Sequence, residues 1–374
     1  MALAANAAPY FPPRHIQKME DDLAMLVELW DDGSGRPQPW GWSKAAKWVF
    51  RKRGVAENFL PSDAELETWR MLSSRAFAAD YLSAFLNQTP EKECVGRNMR
   101  FLKSLDELGT YQKTLKELKP VQRTMEDHKT PTSALIFKSP WSSSGRGVFV
   151  AESLDDTTRK HLQGFVRHQG GFLVDTYYNN KVLDFALEFK VEDDGAVQFL
   201  GFSVFSAGTQ GNYGYNLVAP QNELRTIIEQ AIHSSSDNLS QSQQSSDQSQ
   251  LSLDALLQSH LNLLRQKLAG RYRGFVGIDM MVVSEEGVVR IHPCVEINLR
   301  MNMGILALLL EQKADDKDFY LRLRERLPFE DFPFADFDCL RSCMRSSMRV
   351  PLTPSREVGF QASVGNGRLM LTSS

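Results

Sequence analysis

The sequence predicts an α/β (α+β) protein whose helices are gathered at the front of the chain and whose strands follow. Three observations carry this. Apolar residues recur at helical spacing through the first third, short apolar runs parted by glycines and polar turns begin at Thr132, and one long hairpin pattern runs from Phe275 to Arg300. A chain of 374 residues that is 42% hydrophobic can bury a large core and is expected to divide into two or three lobes. The expected division is a helical N-terminal region over 1–70, a core over 71–330 that contains a small lobe at 130–175, and a C-terminal tail over 331–374.

Composition narrows the function classes. The net charge is -3, with acidic and basic residues interspersed, so nothing marks a surface for nucleic acid or membrane. Four cysteines (Cys94, Cys294, Cys339, Cys343) are too few for a disulfide framework and fit a reducing compartment. Cys339 and Cys343 have helical spacing, but a zinc site joining them to His292 and Cys294 lacks paired-ligand spacing. Residues 1–8 have no basic head and too short an apolar run for a signal peptide, and no run approaches membrane-spanning length. A cytoplasmic protein is expected.

In the front third, Ile16, Met19, Leu23, Leu26, Val27 and Trp30 form an inward stripe that ends at Asp31–Gly35. Ser43 caps a second helix that stops at Gly54, and Ser62 with Glu65 forms a capping box for a third helix, or broken pair, running through Phe85. No strong strand is expected before residue 130. Leu102, Leu105, Leu108, Leu115 and Leu118 give a further amphipathic pattern, broken by Pro120.

From Thr132, strands are expected at 134–137, 147–150, 172–174, 185–189 and 197–202, then a long glycine, amide and tyrosine loop over 201–216. Residues 222–232 and 251–268 read as helices. Between them, 234–250 contains only Ser, Gln, Asp, Asn and one Leu, a composition that cannot offset its ordering entropy, so a disordered insertion is expected there. A helix from Ile305 and a strand near 358–364 complete the pattern.

Two stretches carry chemistry. In Phe275–Val283, an almost wholly apolar strand is interrupted by one carboxylate, Asp279. After a Glu-Glu-Gly turn, alternation puts Arg290, His292, Cys294, Glu296, Asn298 and Arg300 on one side of the second arm. Folding the arms brings Asp279 to within about two residues of Glu296. Two carboxylates and the amide oxygen of Asn298 suit a hard cation such as Mg²⁺ that also holds phosphate. A half-exposed sheet edge, with Arg300 pairing Glu296, accounts for the same alternation.

The other stretch is strand, small-residue loop, strand. Lys138 lies on the entering strand, and Ser143, Ser144, Gly145, Arg146 and Gly147 follow. Small residues let backbone N–H groups approach phosphate oxygens, and the lysine supplies a point charge. The ending of a Walker A loop is absent, and so is the third glycine of a dinucleotide fingerprint. A plain hairpin loop is the alternative.

Lys138 with its loop, then Asp279, then Glu296-Ile297-Asn298-Leu299-Arg300, resemble in order and spacing the ATP-grasp superfamily over residues 130–310. The last five are similar to the Glu-x-Asn-x-Arg ending of its biotin carboxylase branch. This resemblance implies an ATP-grasp fold, ATP and Mg²⁺ as cofactors, Lys138 with the loop residues on the phosphates, and Asp279, Glu296 and Asn298 on the metal. It further implies a catalytic Arg300 and a hinge strand whose Asp175 and Tyr177 receive adenine. The implied activity is a ligase joining a small-molecule carboxylate to an amine or thiol through an acyl phosphate. A kinase or phosphotransferase with the same grip, and a regulatory nucleotide-binding module, remain open. The chain departs from the family in opening with helices rather than an α/β domain, and in having Gly277 where some carboxylate–amine ligases place an arginine.

Overall fold

Two antiparallel sheets and the helix wedged between them position the hairpin. The computed structural model describes residues 2–14, 36–89, 93–118, 134–142, 147–207, 213–233, 251–285 and 288–312, and the backbone alone at 114, 116–118, 349–351, 360–365 and 368–373. The stripe 16–30, the insertion 234–250 and Cys339 with Cys343 lie outside the described residues. No described helix is long and apolar enough to cross a membrane.

The front of the described chain is helical: α1 (Lys44–Lys52), α2 (Asp63–Leu72) and α3 (Arg75–Leu86). Ser43 caps α1 by accepting from the Ala46 amide, and Ser62 and Glu65 form the reciprocal capping box of α2. The broken pair is real: Ser73 and Ser74 separate α2 from α3. A short strand, β1 (Arg100–Leu102), precedes α4 (Leu105–Leu118). This corrects the expectation of no strand before 130. Three residues are too few to display alternation, and the pairing with a strand some 70 residues on decides their conformation.

The small sheet holds β1, β2 (Leu135–Lys138), β3 (Val148–Ala151) and β4 (Phe172–Thr176), in the order β1-β4-β2-β3. Its core of Leu102, Phe137, Phe172 and Val174 is covered by α4 and by α5 (Asp156–Gln169). No element was expected at α5. Its signals were there: Asp155 caps it through the Thr158 amide, and Gly170 ends it in the left-handed conformation, φ 80°.

The large sheet runs β10-β11-β12-β7-β6-β5-β8-β9. It comprises β5 (Lys181–Val191), β6 (Val197–Ala207), β7 (Tyr213–Val218), β8 (Gly274–Glu285), β9 (Val288–Asn298), β10 (Arg349–Pro351), β11 (Phe360–Gly365) and β12 (Arg368–Ser373). Most of the expected 201–216 loop is therefore strand, since β6 continues to Ala207 and β7 pairs back onto it. Phe185, Leu187, Phe189, Val276, Ile278 and Met280 alternate onto one face and share a core with α6 (Gln221–His233), α7 (Leu253–Leu268) and α3. The other face carries Asp184, Ala186, Glu188, Gly277 and Asp279. Helix α8 (Met303–Gln312) packs against β6 and β7.

Candidate functional site

Register builds the site. Asp279 pairs directly with Glu296 across β8 and β9, and the same row continues through Ala186 to Ser203. Two residues along lies the row of Gly201, Glu188, Gly277 and Asn298. Side chains of alternate rows share a face, so Asp279, Glu296, Asn298 and Glu188 are gathered on one patch.

Beyond this patch the ladder breaks. Asp279 pairs with Glu296 but Met281 pairs with His292, so Pro293, Cys294 and Val295 stand against Met280 alone. Proline cannot donate to a ladder, and a bulge there re-aims its neighbours. The Val295 carbonyl accepts from Lys138 Nζ at 3.4 Å, and the His292 ring bonds the Asp175 carboxylate at 2.9 Å. Lys138 and Asp175 pair with Leu173 and Ile136 respectively, which puts both on one face of the small sheet, the face that meets β9. The two sheets thus meet at the bulge.

The electrostatics are asymmetric. Burial, then the charges of Glu296 and Glu188, push Asp279 well above the ordinary carboxylate range, although Asn298 Nδ2 donates to it at 2.9 Å. Burial also pushes Glu296 up, but Arg75, Lys138 and Arg300 together outweigh it and hold its carboxyl below that range. Burial and the Arg75 charge lower the Lys138 ammonium, against the nearby carboxylates. Two carboxylates face to face with only one readily charged is an arrangement that a divalent cation would relieve. Among the described residues no three His, Cys, Asp or Glu side chains form a group that could hold a metal. The candidate set is completed by the Asn298 amide. Cys294 and His292 are both buried, and Cys339 and Cys343, the other members of the zinc reading, lie outside the described residues.

Arg300 lies just past β9. It donates to Asn298 Oδ1 at 2.7 Å and to the Met301 carbonyl at 3.1 Å, and Gly41 packs against its Cβ. It does not pair with Glu296, the bond that the half-exposed-edge reading required. That partner is Arg75, which sequence reasoning missed. Arg75 is the first residue of α3 and is buried; Nη2 donates to both Glu296 oxygens at 3.1 Å, and Nη1 to the Ser139 carbonyl and Ser142 Oγ at 2.6 Å. Nothing in a helical period singles out one arginine. Its only local signal is Ser74, which caps the helix and so fixes its first turn.

The loop after Lys138 is closed at its base by the Ser139 amide on the Gly147 carbonyl, 2.8 Å, with Gly147 at φ 72°. A side chain there would collide with Ser139 Oγ. Trp141 anchors the loop outward, donating from Nε1 to the Arg70 carbonyl while the Arg70 guanidinium lies 3.8 Å from its ring centre. Ser143, Ser144, Gly145 and Arg146 lie outside the described residues. Asp175 has both carboxylate oxygens engaged, by His292 and by the Thr176 amide. The Tyr177 amide donates to the Ala134 carbonyl.

The second missed residue is Glu188. It is 1% exposed; Ser203 Oγ and Asn302 Nδ2 each donate to it at 2.8 Å, and burial pushes its carboxyl up to about 7 against those bonds and the charge of Arg300. The signal that identifies Asp279, a carboxylate inside an apolar strand, is present equally in Phe185-Ala186-Leu187-Glu188-Phe189.

No family model matches the chain, and no curated protein matches it. Among solved structures, it is similar to an N5-carboxyaminoimidazole synthetase from Staphylococcus aureus complexed with ADP, at 9% identity and a TM-score of 0.38 over 82% of this chain and 68% of that one. It is similar to a phosphoribosylamine–glycine ligase from Thermotoga maritima at 13% identity and a TM-score of 0.38, over 82% and 70%. It is similar to the biotin carboxylase domain of the Hydrogenobacter thermophilus 2-oxoglutarate carboxylase, in complex with MgADP, ADP and bicarbonate, at 12% identity and a TM-score of 0.40; the chain is covered over 78% and spans only 56% of that domain. At such scores these likenesses carry no argument of their own. What the chain itself shows is a lysine strand in a small antiparallel sheet, facing an Asp–Glu pair in register on a hairpin of a large one.

Proposed function

We propose that the protein is an ATP- and Mg²⁺-dependent ligase that joins a carboxylate to an amine or thiol. The observation that carries this reading is the direct pairing of Asp279 with Glu296 on the large sheet, with Lys138 reaching the same strand from the small one. Asp279, Glu296 and Asn298 would hold Mg²⁺ together with phosphate oxygens. Bound there, the ion would neutralise charge on the transferring phosphoryl group.

The chain's own groups do the rest. Lys138 and Arg75 present cationic groups at the base of the small-residue loop, where backbone N–H groups bind phosphate oxygens. Lys138 and Arg300 stabilise the charge that develops when a substrate carboxylate attacks the γ-phosphorus and ADP leaves. The amine or thiol then attacks the acyl carbon of the acyl phosphate, the new C–N or C–S bond forms, and inorganic phosphate leaves as the nucleophile gives up its proton. Arg75 already bonds both oxygens of Glu296, so a cation at that carboxylate shares it with the guanidinium or displaces it.

The test is ADP release from the protein with panels of amino acids and small carboxylates. A ligase releases ADP only when acid and nucleophile are both present. Release with a single phosphoryl acceptor and a phosphorylated product would establish the phosphotransferase instead, and nucleotide binding with no turnover under any pair would leave the regulatory module.

A further inference from the structure

Beyond the site groups, the largest unexplained investment on this face is the buried carboxylate of Glu188. It sits beneath the start of α8. Asn302 caps that helix, its Oδ1 accepting from the Ile305 amide at 2.9 Å, and the same side chain donates from Nδ2 to Glu188. The space is made by two glycines: a Cβ at Gly277 would lie 2.1 Å from Asn302 Nδ2 and 2.6 Å from Glu188 Oε2, and one at Gly304 would lie 2.1 Å from Glu188 Oε1. Ser203, itself buried, holds the other oxygen. Every neighbour is shaped to the carboxylate.

Arg300 lies midway between two amides. On one side Asn298, fixed by Asp279, accepts from it; on the other, Asn302 is fixed by Glu188. The segment from β9 to α8 is therefore tied to the sheet at residues 298 and 302, and the guanidinium at 300 goes where those ties put it. We infer that Glu188 is a positioning residue, which acts through Asn302 to set the place of Arg300 over the nucleotide's terminal phosphate. This rests on the proposed nucleotide site. It assigns Glu188 no contact with substrate, in keeping with its burial. The charged groups facing it are Arg300 and Asp279.

The hydrogen-bond polarity makes the inference testable by reciprocal exchange. Asn302→Asp keeps the helix cap, because aspartate caps as well as asparagine, but in the alkaline range, well above pH 7 where Glu188 is ionised, it sets an acceptor against Glu188. Glu188→Gln keeps both bonds, the introduced carbonyl accepting from Asn302 and the introduced amide donating to Ser203 Oγ. In the double variant the amide introduced at position 188 donates to the carboxylate introduced at position 302, and the pin is remade with its polarity reversed.

The readout is the preference for ATP over ADP, measured by calorimetry with Mg²⁺, and Arg300→Ala sets the value without the guanidinium. Asn302→Asp is expected to lose about tenfold or more of that preference, the scale of one charged hydrogen bond. Glu188→Gln alone and the double variant are expected to stay within about twofold of wild type. An Asn302→Asp protein that keeps the preference, or a double variant as impaired as Asn302→Asp, overturns the inference. A wild type with no preference would count against the nucleotide reading itself. Melting of the wild type, Asn302→Asp, Glu188→Gln and the double variant without nucleotide separates the two failures, because a loss in Asn302→Asp recovered in the double variant still supports the pin, and a loss without recovery overturns it.

Discussion

Arg75 brings the loop after Lys138 and the β8–β9 hairpin onto one guanidinium, and it comes from neither sheet. The Glu296 side chain is 28% exposed, so breaking the pair costs less than the 3–5 kcal/mol typical of fully buried pairs; Arg75→Met is expected to destabilise by about 2 kcal/mol. Denaturant unfolding measures it, and a change within about 0.5 kcal/mol, the scatter of ordinary surface substitutions, would show that the pair is incidental. Glu188 yields a pH prediction. Its carboxyl titrates near 4.5 when unfolded and near 7 when folded, so between those values the native state binds more protons and stability falls as pH rises. The loss is on the order of 3 kcal/mol across that window. Asp279, also raised, contributes with the same sign, so Glu188→Gln should flatten part of the decline rather than all of it. An unchanged slope in the variant would refute the assignment. Asp279, Glu296, Asn298 and Lys138 were legible in the sequence because a strand's alternation and an out-of-place charge are local signals. Arg75 was not, because only tertiary packing carries the first residue of a helix to a carboxylate 221 positions away.

The element that decides the site is the hairpin of β8 and β9. Its pairing places Asp279 opposite Glu296, and its bulge turns the Val295 carbonyl and His292 toward the small sheet. Gly277 is the position in β8 where an added methyl group has nowhere to go: Gly277→Ala is expected to cost about 1–3 kcal/mol by overpacking against Asn302 and Glu188. A fully stable alanine variant would mean that this space is not filled as described. The hairpin's existence was readable from two strand patterns flanking a Glu-Glu-Gly turn. The bulge was not, because Pro293 signals that the ladder breaks without saying how many residues it displaces. Helix α5 and strand β7 were passed over for another reason: each lies in a stretch whose glycines and polar residues read as turns. Their identity is set by packing against β4 in one case and by pairing with β6 in the other.

At the scale of the molecule, two antiparallel sheets meet along one strand, and Lys138, Arg75, Asp279, Glu296 and Asn298, the described groups proposed for phosphate and metal, lie at that meeting. Lys138 arrives from the small sheet, Arg75 from the helix between, and Asp279, Glu296 and Asn298 from the large sheet. On the proposed reading ligand binds where the two sheets are tied together, and binding should register in global stability. Mg²⁺ sheds its water reluctantly and is seldom held by protein alone, so metal and nucleotide should stabilise jointly. The decisive measurement is unfolding free energy with ATP, with Mg²⁺ and with both, for wild type and Glu296→Gln. The wild type should gain about 2.7 kcal/mol from both at a hundredfold excess over the dissociation constant, and little from either alone. Glu296→Gln should fold but lose most of the joint gain. A variant that kept the wild-type joint stabilisation would place the metal elsewhere and leave the hairpin a half-exposed strand held by Arg75.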